Sequence, residues 1–143
     1  MHLSLYILAM VTTMQNISVQ TPPLEYPSWL DSFINVYQGL SKNNLEVLGI
    51  IYHQDVIFED PIHRVESLDH LYLYFKGLYQ NLSSCDFIIE EVIFENSSAA
   101  IYWKMTYKHN KLNKGKSVIV FGNSLIKAQD NNVIYHRQTL TYG

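Results

Sequence analysis

Four long segments rich in Ile, Val, Tyr and Phe follow one another in the second half of the sequence, separated by short polar turns. They run from Phe87 to Glu95, Ala99 to His109, Ser117 to Lys127 and Val133 to Tyr142. β-branched and aromatic residues favour strands. Strands joined by short polar turns pair with their sequence neighbours as antiparallel hairpins. The pattern therefore predicts a meander of four antiparallel strands.

Three amphipathic helices are predicted before this meander. The first begins at its N-cap Ser28, the second runs from Leu45 to Tyr52 after the cap Asn44, and the third is capped by Ser67. Apolar residues recur at helical spacing in the first and third helices, in the stripes Trp29, Phe33, Val36, Tyr37 and Leu40, and Leu68, Leu71, Tyr72, Phe75, Leu78 and Tyr79. Helices followed by a long antiparallel meander are typical of an α+β fold with the helices on one side of the sheet.

A short apolar strand between the second and third helices ends at Asp60, directly before Pro61. The proline fixes its own φ and biases Asp60 towards extended geometry. His63 follows three positions after Asp60, so a carboxylate and an imidazole stand together at a strand end. They are candidates for an acid/base pair in a pocket, or for a strand stop followed by an ordinary loop, and the residues alone leave both readings open.

Composition narrows the classes of function. A chain of 143 residues with 48% hydrophobic content is the size of one domain with a substantial core, and a net charge of −3 argues against nucleic acid as a partner. The single Cys85 excludes an internal disulfide and a multi-cysteine metal site. The six histidines show no paired metal-ligand spacing, and no glycine-rich phosphate loop is present. We therefore expect neither a metal nor a cofactor.

Residues 1–26 are predicted to be a flexible leader or an over-extended start, followed by one domain over residues 27–143. The apolar stretch from Leu3 to Val11 resembles the core of a signal peptide, but no small-x-small cleavage site follows it cleanly. It is also far too short to span a bilayer. The expectation is a cytoplasmic protein with no membrane partner.

The order of elements resembles the nuclear transport factor 2-like (NTF2-like) superfamily, in its SnoaL-like branch, over residues 27–142. The resemblance rests on Tyr52–Pro61, Tyr74-Phe75, Trp103-Lys104-Met105, Gly122-Asn123-Ser124 and His136-Arg137. It implies a cone, in which three helices pack in the concave face of a strongly curved, mainly antiparallel sheet around a pocket. It also implies a tail beyond Gly143, so the C-terminus is expected to be truncated or altered. Members include ketosteroid isomerases, polyketide cyclases, dehydratases and non-catalytic modules, so the fold does not name the reaction.

The resemblance places Asp60 at the general-base position of the ketosteroid isomerases. Their oxyanion-donating tyrosine falls on Val36, one place before Tyr37, and their second acid falls near Gly122-Asn123, where no carboxylic acid stands. In the SnoaL-like branch an Asp commonly follows the His-Arg pair, and here Gln138 occupies that place. Because an amide cannot exchange a proton near neutral pH, these departures favour ligand binding over steroid chemistry.

Three functions from different classes remain open, with binding of a small, largely apolar molecule that carries an oxygen function preferred. The alternatives are an isomerase, cyclase or dehydratase with Asp60 or His136 as general base, and a non-catalytic dimerisation module. The apolar wall is expected from Phe58, Phe75, Trp103 and Met105, and the polar anchors from Tyr37, Asp60, His63, His136 and Gln138. In the enzyme hypothesis, burial is expected to raise the pKa of Asp60.

Two expectations rest on strand alternation. In the last strand Ile134, His136, Gln138 and Leu140 share one face, which we expect to line the cone rather than an exposed sheet surface. In the second long strand Trp103 and Met105 face inwards, which leaves Tyr102 and Thr106 on the outer face. An exposed aromatic sheet face marks an interface, so we expect a homodimer through that outer face.

Overall fold

The structure, a computed structural model, describes residues 25–142 as three helices and one six-stranded sheet. The helices are α1 (Ser28–Gly39), α2 (Leu48–Ile51) and α3 (Leu68–Tyr79). The strands are β1 (Tyr52–Glu59), β2 (Arg64–Glu66), β3 (Leu82–Phe94), β4 (Ser98–His109), β5 (Val118–Gln129) and β6 (Asn132–Tyr142). Short 3₁₀ turns cover Leu45–Val47 and Asn113–Gly115. The predicted α+β fold is confirmed, and most of the predicted leader, together with Gly143, lies outside the described residues.

The sheet has the strand order β2-β1-β6-β5-β4-β3 and is curled without being closed. The predicted antiparallel meander forms β3 to β6. Strand β1 pairs with β6 in parallel, a long-range pairing that places Phe58 beside His136 and Glu59 beside Arg137. This pairing brings the turn after β1 close to the middle of β6. The sheet is therefore mixed, with one parallel pair among antiparallel ones.

The ends of two helices differ from the prediction. Ser28 is the first residue of α1 rather than its cap, because Pro27 takes the N-cap position and the Ser28 hydroxyl donates instead to Asn131. The second helix is shorter than predicted at both ends, since Leu45–Val47 form a 3₁₀ turn before it and Tyr52 after it is extended and begins β1, where it is 2% exposed. The Ser67 cap is confirmed, because its hydroxyl accepts from the backbone N–H of His70.

The core lies between the helices and the inner face of the sheet. In α3 only every fourth residue is buried, namely Leu71, Phe75 and Tyr79. Tyr72 and Leu78 lie on the flanks of that narrow row and are exposed, contrary to the predicted stripe. The inner face of β4 is confirmed, since Ile101, Trp103 and Tyr107 are buried and Tyr102 is exposed.

A register shift between β5 and β6 interrupts the predicted alternation of the last strand. Lys127 pairs with Tyr135 and Ala128 with Val133, so Ile134 is an extra residue in the ladder. Val133 is therefore fully buried, while Ile134 is only half-buried and does not share the face of His136. The rest of that face, from His136 to Leu140, is inward as expected. Within residues 25–142, no helix has the length and apolarity that crossing a bilayer requires.

Candidate functional site

A cavity of about 360 Å³ lies between the helices and the inner face of the sheet. Its volume is in the range that small-molecule sites occupy. The apolar part of its wall is formed by Phe75, Leu78, Leu82, Phe87, Trp103, Met105, Leu112, Val120 and Leu140. Its polar groups come from Tyr37, Asp60, Tyr74, Tyr79, Tyr107, His109 and Gln138. The cavity is thus mainly aromatic and aliphatic, with a limited set of hydroxyl, carboxylate, imidazole and amide groups.

The structure brings six of the nine predicted site residues onto this wall: Tyr37, Asp60, Phe75, Trp103, Met105 and Gln138. The other three lie elsewhere. Phe58 is fully buried in β1, the His63 side chain is 56% exposed on the turn, and His136 is 1% exposed within the core. The packing explains this division, because Phe58 lies against the rings of Phe75 and His136 rather than against open space.

The Asp60 carboxylate is held by the turn that follows β1. One oxygen, Oδ1, accepts the backbone N–H groups of Ile62 at 2.8 Å and His63 at 2.6 Å. The other, Oδ2, accepts the hydroxyl of Tyr74 from α3. The turn is closed by the Asp60 N–H, which donates to the His63 carbonyl at 3.0 Å. Asp60 therefore binds its own turn and helix α3 as well as lining the cavity.

These contacts determine how Asp60 ionises. Burial by itself opposes the charged form, but the hydrogen bonds from Tyr74, Ile62 and His63, with the nearby His63 imidazole, outweigh it and lower the pKa of Asp60. The expected rise in the pKa of Asp60 is therefore wrong. A carboxylate with a lowered pKa is a weaker proton acceptor, and three of its lone-pair positions are already occupied.

A continuous row of hydrogen bonds, here called the polar relay, runs through the core behind the cavity. The Trp103 indole N–H donates to the Ser124 hydroxyl at 3.0 Å, and Ser124 lies 3.1 Å from Nε2 of His136. On the other side of that ring, Nδ1 lies 2.6 Å from the Tyr52 hydroxyl. The Tyr52 and Tyr37 hydroxyls are 2.5 Å apart. The relay joins two residues of the cavity wall, Trp103 and Tyr37, through three side chains that do not line it.

His136 is the centre of the relay and is surrounded by aromatic rings. The rings of Phe33, Phe58 and Tyr37 pack at its edges and faces, with centroids 5.6, 4.9 and 6.1 Å away. Burial lowers the pKa of His136 to about 3, so the imidazole is neutral near pH 7. Burial likewise raises the pKa of Tyr37 and Tyr52, so both phenols keep their hydrogens.

Sequence reasoning missed three residues that build the site. Tyr52 reads as part of a helical stripe, and only its pairing in β1 places its hydroxyl next to His136. Ser124 carries a detectable signal, because it is the polar residue in the inward row Val120, Gly122, Ser124 and Ile126 of β5. Tyr74 is adjacent to a predicted wall residue, yet its bond to Asp60 depends on how α3 packs over β1.

The residues present do not point to a metal. In the part of the chain that the structure describes, no group of three or more His, Cys, Asp or Glu side chains is arranged to hold a metal ion. Asp60 of the cavity wall has one such side chain beside it, His63, whose Nδ1 lies 3.4 Å from the Asp60 carboxylate. The chemistry that these groups offer is hydrogen bonding to a molecule in an apolar enclosure.

Residues 33–136 match the family model of the SnoaL-like domain. The match covers well over half of the sequence, and the chain therefore belongs to the SnoaL-like family, within the NTF2-like fold. The resemblance inferred from the sequence motifs is thereby confirmed. A search of the curated proteins finds no match.

Solved structures show the same fold at low sequence identity. A candidate SnoaL-like polyketide cyclase from Jannaschia sp. CCS1 has a TM-score of 0.71 and 15% identity, covering 82% of this chain and 90% of that one. An LEH-like epoxide hydrolase of M. tuberculosis has a TM-score of 0.63 and 10% identity, covering 79% of this chain and 80% of that one. A third structure is a protein with a ketosteroid isomerase-like fold from Catenulispora acidiphila DSM 44928, in complex with trimethylamine. It has a TM-score of 0.66 and 9% identity, covering 80% of this chain and 85% of that one. These likenesses establish the fold, on which several activities occur.

Proposed function

We propose that this protein binds a small, largely apolar molecule with at least one oxygen function in the cavity between the helices and the sheet. The observation that carries the proposal is the composition of the cavity wall. Trp103, Met105 and Phe75 offer apolar surface, while Tyr37 and Gln138 offer hydrogen-bonding groups on the same wall. An apolar enclosure with a few polar groups is the usual form of a small-molecule site.

Catalysis by Asp60 is the second candidate, supported by its place on the wall and by the activities given for structural relatives. Two observations favour binding over it. Asp60 has a lowered pKa and accepts three hydrogen bonds from the protein. His136, the other candidate base, does not line the cavity and connects to its wall only through other side chains, Tyr52 and Tyr37 on one side and Ser124 and Trp103 on the other. Neither group is poised to take a proton from a bound molecule.

The binding proposal predicts that methyl naphthyl ketone binds at one site per chain and that Met105→Lys weakens this binding at least tenfold. A lysine there would place an ammonium group in the apolar wall, and displacing the ligand or burying the charge is costly. Isothermal titration calorimetry measures both proteins. Ile50→Lys is the matched control, because Ile50 is 62% exposed and does not line the cavity, and its affinity should equal that of the wild type. Equal affinity of the Met105 variant would place the ligand elsewhere.

Asp60→Asn separates binding from catalysis. As an anchor or turn residue, Asp60 contributes hydrogen bonds, so the variant should bind the ketone within about tenfold of wild type. The enolisation expected of a general base is measured by NMR, as exchange of the ketone methyl hydrogens for deuterium in D₂O. We expect no acceleration over buffer. Acceleration by the wild type that Asp60→Asn abolishes, and that the exposed control Asp55→Asn keeps, would establish the enzyme instead.

We also propose that the protein is a homodimer through the sheet face that points away from the helices. Large apolar side chains are exposed on that face of β3, β4 and β5, namely Ile88, Tyr102, Ile119 and Phe121. Lys104 lies among them, with its ammonium group over the Phe121 ring at 5.9 Å in a cation–π contact. A second copy of the same face is the self-complementary partner that an isologous dimer requires.

Phe121→Glu is expected to convert the dimer to a monomer. The substitution would bury two carboxylates, one from each copy, in an apolar interface, which is strongly unfavourable. Light scattering at high micromolar concentration gives the mass of the wild type and the variant. Ile62→Glu introduces the same charge on a different surface and should remain a dimer. A monomeric wild type would remove the proposal.

A further inference from the structure

The donor at one end of the polar relay determines the direction of every hydrogen bond in it. An indole N–H can only donate, so the Ser124 oxygen must accept from Trp103. Ser124 is 4% exposed, and its hydroxyl has two partners among the described residues, Trp103 and His136. With one lone pair of Ser124 occupied by the indole, the hydroxyl hydrogen needs an acceptor, and Nε2 of His136 is the one in reach.

The two tautomers of a neutral imidazole differ in which hydrogen-bonding groups of the polar relay they leave without a partner. If Nε2 carried the hydrogen, both His136 and Trp103 would donate to Ser124, and the serine hydrogen would have no acceptor among the described residues. A buried donor without a partner is disfavoured, because it has lost its hydrogen bonds to water and gained none in the protein. If Nδ1 carries the hydrogen, Ser124 donates to Nε2, and the one hydrogen of the relay left over is that of the Tyr37 hydroxyl, which lies on the cavity wall where a bound molecule or water can accept it. The contacts therefore favour the Nδ1–H form.

The same direction continues to the cavity. Nδ1–H of His136 donates to the Tyr52 oxygen, and the Tyr52 hydroxyl then donates to the Tyr37 oxygen. The Tyr37 hydrogen is left without a protein acceptor among the contacts of its hydroxyl in the described residues, and Tyr37 lines the cavity. In the opposite direction Tyr37 would donate to Tyr52 and offer only a lone pair.

We propose that the polar relay holds His136 as its Nδ1–H tautomer and so presents Tyr37 as a hydrogen-bond donor to the cavity, which selects ligands with a carbonyl or similar acceptor oxygen. The inference deepens, and rests on, the proposed binding function. It assigns Ser124 and His136 as positioning residues that act through Tyr52 and Tyr37 without touching the ligand. The neutral state of buried His136 supports it, because a protonated ring would donate from both nitrogens.

The tautomer is measured directly, without any ligand. Long-range ¹H–¹⁵N NMR of the labelled protein distinguishes a protonated from an unprotonated ring nitrogen, and the His136→Gln spectrum assigns the signals. We expect a hydrogen on Nδ1 and none on Nε2 in the wild type. In Ser124→Ala the constraint is gone, so a population with hydrogen on Nε2 should appear, whereas the exposed control Ser117→Ala should match the wild type. Hydrogen on Nε2 in the wild type overturns the proposal.

Selection is measured with methyl naphthyl ketone and isopropenylnaphthalene, in which C=CH₂ replaces C=O at nearly the same shape. Calorimetry on the wild type should show the ketone binding about tenfold more tightly, the effect of one net hydrogen bond. Tyr37→Phe should remove this preference and keep hydrocarbon binding. In Ser124→Ala the ketone affinity should fall by the same factor as the Nδ1–H population, with the hydrocarbon affinity unchanged.

The outcomes separate the two proposals. The proposed role of the relay is overturned if both molecules bind with equal affinity, or if the preference for the ketone survives in Tyr37→Phe. Either result leaves the proposed binding function intact. Binding of neither molecule overturns the binding function itself, whatever tautomer the spectrum shows.

Discussion

Gly122→Ala is expected to lower the free energy of unfolding by about 3 kcal/mol, because the added methyl group has no room. A Cβ atom at this position of β5 would overlap the outer ring carbons of Trp103 and lie 2.7 Å from the Thr139 carbonyl oxygen. The indole cannot move aside freely, since its N–H is bonded to Ser124 and its ring packs on Phe87 at 5.2 Å. The carbonyl belongs to the neighbouring strand β6 and is equally fixed.

Chemical denaturation at constant protein concentration measures this change. Gly77→Ala is the matched control, because Gly77 lies inside α3 with nothing within 4 Å of an added Cβ. Alanine is favoured over glycine in a helix by up to about 1 kcal/mol, so this variant should be slightly more stable than the wild type. A Gly122 variant as stable as the wild type would show that the Trp103 ring is loosely held.

His136 is expected to make stability fall steeply in mild acid. Its folded-state pKa is lowered to about 3, whereas an unfolded histidine titrates near 6.5. Below about pH 6.5 the unfolded chain therefore binds a proton at His136, whereas the folded protein binds that proton only near pH 3. The stabilisation is present above the unfolded pKa and is lost as the pH falls. From pH 7 to pH 5 this one residue should remove about 2 kcal/mol.

Replacing His136 with Gln removes the titrating group, so the pH 7 to pH 5 difference in unfolding free energy should shrink by that amount relative to the wild type. Tyr52→Phe is the informative control. It breaks the polar relay at the adjacent residue and so destabilises the protein at every pH, but it keeps the imidazole and therefore the pH dependence. A slope unchanged by His136→Gln would mean that His136 takes up its proton in the folded protein over the same pH range as in the unfolded chain.

Local patterns predicted the elements of this fold well, because each depends on neighbours in sequence. Alternation in β4, the Ser67 cap and the hairpin turns all follow from residues a few positions apart. The parallel pairing of β1 with β6 does not. Tyr52 lies opposite Val133, and nothing near Tyr52 in the sequence encodes that partner. The same long-range contact overrode the helical pattern and placed Tyr52 in a strand.

The site was predictable at the level of its wall but not of its hydrogen bonds. Trp103, Met105 and Phe75 follow from strand and helix periodicity together with the family resemblance. Asp60 was found for its position, yet its lowered pKa depends on Tyr74, which reaches it from another element. His136 was predicted to face inwards, and it does, but it meets Tyr52 and Ser124 rather than the cavity. These hydrogen-bond partners depend on how separate elements pack together, and the periodicity of a single element carries no information about that packing.

The position of β6 within the sheet sets the order in which this molecule can be assembled. As the strand between β1 and β5, it is the bridge that joins the N-terminal half to the meander. When the chain has been synthesised only as far as β5, strand β1 has no partner strand that joins it to the meander. Strand β5 then has an open edge rich in Val, Ile and Leu. The six-stranded sheet can be completed only after β6 has been made, so β1 and β5 lack the strand that both pair with for most of the synthesis of the chain.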